Sequence, residues 1–173
     1  MPEAIVAAAQ SFPLGTGLGA DNVGPRAFLR LSGALIARFC GFLTRCEQAG
    51  QWPSLLHLVL IVLLPKPVEG RRPIGLFPTP IRIWMRIRYE LGQIWQCANR
   101  LPGSYGGPGM GAQRAAWQTA FHAENAARDG HHFAQGLLDL VKCFETIPHH
   151  HVLAAATKHG YCLTTLRLTF AGY

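Results

Sequence analysis

Apolar positions follow two different periods along this chain. From Pro25 to about Gln48, Phe28, Leu31, Leu35, Phe39, Phe42 and Leu43 recur mostly at steps of three and four, which predicts an amphipathic helix. Asp21 or Asn22 would cap its start and Gly50 would stop it. A second helical pattern covers residues 79–98, with Ile83, Ile87, Leu91 and Ile94 flanked by Trp84 and Trp95, and Arg82, Arg86 and Gln93 on another side. Ala112 to Arg128 predicts a third helix, closed by Asp129-Gly130. Thr146 or Ile147 would cap a fourth, opened by Pro148 and stopped at Gly160, and Leu163 to Phe170 begins a fifth. Between the helices, Leu55 to Leu64 is almost continuously aliphatic and is bounded by Pro53 and Pro65, so it predicts a strand buried on both faces. Residues 131–140 lead toward Asp139 as another strand, with Asp139 on the face opposite Leu138 and Leu140. Glycine and proline mark loops at 11–25 and 101–111. The predicted fold class is α+β, with helices packed on a small mixed sheet.

Composition narrows this picture. At 173 residues, about half of them apolar, the chain suits one compact domain and not a disordered one. Its longest apolar run is half the length a membrane span requires, so no membrane partner is expected. The start has Glu3 where a secretory signal would be basic, which points to an intracellular location. Five cysteines without a Cys-x-x-Cys pair predict free thiols, not a disulfide framework or a zinc site.

Charge changes the picture more. The formal net charge is +7, and residues 66–100 hold seven basic and two acidic groups, while the flanking segments each carry an excess of one. A positive field concentrated there suits nucleic acid or nucleotide phosphate. Lys66, Arg71 and Arg72 lie in its first loop, where Pro73 holds Arg72 on an extended backbone, and Arg82 and Arg86 give the following helix a basic face. His149, His150 and His151 are consecutive, so on a helix they diverge and cannot all ligate one metal ion.

Two segments together carry a family resemblance. Leu64-Pro65-Lys66-Pro67 followed by Arg72-Pro73-Ile74 resembles the fingers signature of reverse transcriptases. Gly136-Leu137-Leu138-Asp139-Leu140-Val141-Lys142-Cys143-Phe144-Glu145-Thr146-Ile147-Pro148 resembles their first catalytic motif, in the wording of non-LTR retrotransposons and group II introns. Gly19-Ala20-Asp21-Asn22 is similar to a Gly-x-Asp segment ahead of the fingers, and Gly106 corresponds to the glycine of a later Gln-x-Gly-Phe segment.

The resemblance implies an incomplete right-hand polymerase. Residues 1–24 would form a loop-rich N-terminus, 25–130 a fingers-like region and 131–173 the start of the palm. It further implies that Asp139 is the catalytic and metal-ligating acid, that Lys66, Arg72, Leu140 and Phe144 meet the incoming nucleotide, and that Arg71, Arg82 and Arg86 hold nucleic acid. Phe144 would act as the steric gate, and Glu145 stands where the family usually has Asp. Magnesium would be the cofactor; RNA template, DNA primer and dNTP would be the partners, together with a missing palm and thumb half. The family's second catalytic element is an aromatic-x-Asp-Asp hairpin, and the 173 residues contain no Asp-Asp pair. The expected activity is therefore that of an RNA-directed DNA polymerase unable to polymerise alone, or of a non-catalytic nucleic-acid-binding module or inert remnant derived from one.

Overall fold

The computed structural model describes residues 2–106, 109–139 and 146–172. In chain order these form helix α1 (Pro2–Gln10), a 3-10 turn (Pro25–Arg30), α2 (Gly33–Ala49), a second 3-10 turn (Ser54–Leu56), strands β1 (Leu60–Pro65) and β2 (Arg71–Leu76), then α3 (Thr79–Ala98), α4 (Ala112–Arg128), α5 (His149–Lys158) and α6 (Leu163–Phe170). Helices combine with one small antiparallel sheet, order β1-β2, in keeping with an α+β class. Two compact units divide the chain: Met1–Glu90 with Gly160–Tyr173, and Leu91–His159, the boundary falling inside α3. Among the described residues, no helix is long and apolar enough to cross a membrane.

The first unit is built around two apolar clusters that share α2 and α3. Ile81 and Trp84 of α3 meet Leu43 and Cys46 of α2, together with Trp52, Leu56 and Leu168. One residue's rotation along α3, Ile83 joins Ile36 of α2 and Ile5, Ala8, Ala9 and Phe12 in the other cluster. Fully burying side chains of this size stabilises by about 1.5–3 kcal/mol each. The indole nitrogen of Trp52 donates to the Leu168 carbonyl at 3.0 Å, tying α6 to the turn after α2. Gly50 stops α2 as expected, with φ at +66°, and the Arg167 side chain lies where a Cβ would stand.

Several expectations need correction. The helix expected from Pro25 is interrupted: Ser32 accepts a bond from the Leu35 amide at 3.4 Å and caps α2, leaving Pro25–Arg30 as a separate 3-10 turn. A capping hydroxyl satisfies amides that a continuous helix would have bonded otherwise. Asp21 does not cap this helix, as described below. Helix α1 was not expected, although Ile5, Ala8 and Ala9 fall at helical spacing and are its buried residues. The strand expected over Leu55 to Leu64 begins only at Leu60 and is not buried: Leu60, Ile61, Leu63 and Leu64 are 44–57% exposed. Among the described residues β1 pairs with β2 alone, so the aliphatic run forms half of a ribbon, not the centre of a mixed sheet.

In the second unit, residues 131–139 form no strand and are exposed throughout. Helix α4 buries none of its residues, and α5 is capped by the backbone of Pro148 without a side-chain bond, where Thr146 or Ile147 was expected. Gly160, which follows α5, has the left-handed conformation expected of a helix stop.

Candidate nucleic-acid interface

The β1–β2 hairpin organises the first group of candidate residues. Leu64 faces Arg72 and Pro65 faces Arg71 in the antiparallel register, and the Lys66 amide donates to the Gly70 carbonyl at 3.0 Å. Directly opposed residues share a face of the ribbon and successive ones alternate. Arg72 therefore lies on the face of Leu64, and continuing the alternation one step places Lys66 there too, while Arg71 lies on the opposite face. All three cations are exposed at the turn end. The side chains on Arg72's face include Val62, Ile74 and Leu76, which are less exposed than Ile61 and Leu63 on the other. The cationic end is thus a forked one, with two charges presented from one side and a third from the other.

The basic face of α3 begins at a loop that the sequence could assign only weakly. Asp21 accepts from the Thr79 amide at 2.6 Å, and the Thr79 hydroxyl donates to the Val23 carbonyl at 2.5 Å. Asp21 thus satisfies an orphan amide in the first turn of α3, not one in the helix that follows it in sequence. Gly19 sits so close to the Phe77 carbonyl that a Cβ there would overlap it. Arg82 completes the clasp by donating to the Gly17 carbonyl at 2.7 Å. Burial lowers the Arg82 pKa, the nearby Asp21 opposes that shift, and Arg86 adds to it.

Both expected α3 cations also meet an aromatic ring. The guanidinium carbons of Arg82 and Arg86 lie 5.4 and 4.7 Å from the centroid of Phe12, within cation–π range. Phe12 itself is held by Arg26, which donates to the carbonyls of Gln10 and Phe12 at 3.1 Å each. Sequence reading did not identify Phe12, because the loop around it shows no period.

Arg88 belongs to the same helix but serves packing. Its Nε and one terminal nitrogen donate to the two carboxylate oxygens of Glu47 at 2.5 and 2.6 Å, and Trp84 donates to Glu47 at 2.7 Å. Burial works to raise the Glu47 pKa, but the bonds from Arg88 and Trp84 outweigh it and hold the carboxyl below its ordinary range. This forked pair bridges α2 and α3.

The segment that resembles a first catalytic motif falls in the second unit. Asp139 is exposed and stands in no regular element, while Leu140, Phe144 and Glu145 lie outside the described residues. Among the described residues no group of three His, Cys, Asp or Glu is placed to hold a metal ion. Asp139 offers one hard carboxylate oxygen donor set, which does not by itself fit the ligand demand of two magnesium ions. Compared with known proteins, the chain matches no family model, and no curated protein matches it significantly.

Proposed function

We propose that this chain is a nucleic-acid-binding domain of the reverse-transcriptase type, corresponding to the fingers and the start of the palm of a right-hand polymerase. Its expected ligand is an RNA–DNA duplex, with Lys66 and Arg72 directed at phosphate from one face of the hairpin and Arg71 from the other. The observation that supports it most is the hairpin itself, whose register sets Arg72 opposite Leu64, with Lys66 exposed at the turn one residue beyond the paired strand. Arginine presents a planar fork suited to phosphate oxygens and lysine a compact charge, and exposed positions let both reach a backbone without prior unfolding.

Within this reading the chain binds and does not polymerise. Two-metal phosphoryl transfer needs carboxylates for both ions, and the resemblance assigns only Asp139. Filter retention of a labelled RNA–DNA duplex tests it across a salt series. The affinity should fall linearly on logarithmic axes, and Arg72→Ala should lower the slope by about one unit. Asp139→Ala should leave retention unchanged. Absence of salt-sensitive retention would refute duplex binding; template-dependent primer extension by this chain would refute the non-polymerising part.

A further inference from the structure

Strand β1 leaves one edge open. Among the described residues it pairs with β2 alone, and a two-stranded ribbon is only marginally stable in water. The direction of each main-chain group follows from the register. The Lys66 amide bonds the Gly70 carbonyl, so these two form a hydrogen-bonded pair, and such pairs alternate with non-bonded ones along an antiparallel ladder. Leu64, Val62 and Leu60 therefore turn their amides toward β2, while Ile61 and Leu63 turn theirs away from it. Both prolines fit this phase, because Pro65 and Pro73 fall at non-bonded positions where no ladder donor is lost.

The two edges of the ribbon differ. On β2, Pro73 removes the central outward donor and Arg71 and Arg72 stand at one end, both of which protect a sheet edge. On β1 the outward amides of Ile61 and Leu63 remain, and Leu60, Ile61, Leu63 and Leu64 are exposed. An exposed aliphatic edge is a template for another strand. The sequence of β1 fits a second copy of itself. Laid antiparallel about Val62, Ile61 of one copy opposes Leu63 of the other and exchanges both main-chain bonds with it, and the reciprocal pair does the same. The other opposed pairs are Val62 with Val62 and Leu60 with Leu64, so every side chain at the seam meets an aliphatic one. Charge favours the same arrangement. A chain of net charge +7 repels its copy, but here the two Lys66 residues stand eight positions apart along the strands, roughly 27 Å at a rise of about 3.4 Å. That is about three Debye lengths at physiological salt. A parallel pairing would set the two cationic turns side by side.

We propose that this protein self-associates through the outer edge of β1, as a two-fold dimer with a continuous four-stranded sheet in the order β2-β1-β1-β2. The proposal does not rest on the nucleic-acid reading, and its test contains no nucleic acid. One strand per copy is a narrow seam beside the roughly 800 Å² per partner of standard interfaces, so the association is weak and calls for micromolar protein. Sedimentation velocity from about 1 to about 200 μM should show the chain passing from monomer to dimer. Leu63→Pro deletes an outward donor while leaving the β1–β2 bonds in place, and Leu63→Lys keeps the donor but puts charge into the seam. Each should weaken the dimer by at least about tenfold. Leu14→Lys, at a leucine 88% exposed outside the hairpin, should not. Circular dichroism checks the fold of each variant, and Leu63→Lys decides if Leu63→Pro unfolds. Under mild oxidation Val62→Cys should join two copies beyond the level that the native thiols give, since opposed non-bonded residues have Cα atoms about 4.5 Å apart. Leu60→Cys should not, because the two Leu60 residues lie four positions apart in this register. A monomer at every concentration would overturn the proposal, as would a dimer undiminished in both Leu63 variants. A monomer whose Ile61 and Leu63 amides resist hydrogen exchange would overturn it in favour of another segment of the same chain.

Discussion

Around Trp84, the first unit places Leu43, Ile81 and Leu168 with at most 1% of their surface exposed. In the second unit Ala156 is the one buried residue among those described, and Trp117 stands 70% exposed. Both regions are largely helical and both contain tryptophan, so helix content does not separate them. What separates them is whether apolar faces meet. Helical stability in proteins comes mostly from packing an apolar face, not from propensity. The first unit therefore has the rigidity to orient cations, and the hairpin and α3 arginines belong to it. Asp139 belongs to the other, in a segment without regular structure.

The largest expected effect lies at the centre of the packed unit. Trp84 is 2% exposed, sits edge-on to Trp52 with ring centroids 5.4 Å apart, and donates to Glu47. Trp84→Ala should cost about 3–5 kcal/mol, measured by urea denaturation. A loss below about 1 kcal/mol would show that this cluster does not carry the unit.

Glu47 comes next. Its side chain and that of Arg88 are 15% and 23% exposed, so truncation leaves a largely shielded guanidinium without its partner. Glu47→Ala should destabilise by about 1–3 kcal/mol. Because the folded pKa of Glu47 is lowered, its contribution is present above the ordinary carboxylate pKa and is lost as pH falls through the folded value. The wild type should thus lose stability on acidification below about pH 4.5, and Glu47→Gln should flatten that part of the profile. An unchanged profile in Glu47→Gln would assign the acid sensitivity to other groups.

How much of this contrast was readable in advance depends on the range of the interactions involved. Helix α3 was legible over its whole length, since Ile83, Trp84 and Ile87 repeat at short spacing. The partners of that helix were not: Asp21 reaches Thr79 across 58 positions and Glu47 reaches Arg88 across 41. Nothing local in a sequence distinguishes a cation that will be paired from one left at the surface. The aliphatic run before Pro65 was correctly read as strand-forming in its second half, but its burial was misread, because an apolar strand has the same pattern whether or not neighbours cover it. The alternation predicted at 131–139 failed for a related reason. A strand needs a partner ladder, and none forms there among the described residues.

Trp117 tests the other side of the comparison at smaller scale. It stacks on Phe121 with centroids 5.8 Å apart and planes inclined by 5°, yet both rings are at least half exposed. Trp117→Ala should change the unfolding free energy by less than about 1 kcal/mol, in contrast to Trp84→Ala. Hydrogen exchange followed by mass spectrometry should show α4 amides exchanging while those of α2 remain protected. Comparable protection in the two helices would erase the distinction between the units.

The smallest effect is expected at Asp139, where it is also the most informative. An acid held on a strand to ligate metal is usually fixed by neighbours, and neutralising it changes stability in one direction or the other. Asp139 is exposed, and exposed substitutions away from caps and networks fall within about 0.5 kcal/mol. Asp139→Asn should therefore unfold at the same urea concentration as the wild type, with and without magnesium. If magnesium instead stabilises the wild type and Asp139→Asn abolishes the gain, binding has been linked to folding through this acid. The second unit would then carry a metal site that becomes ordered on binding, and the contrast between a packed unit and an open one would describe only the metal-free chain.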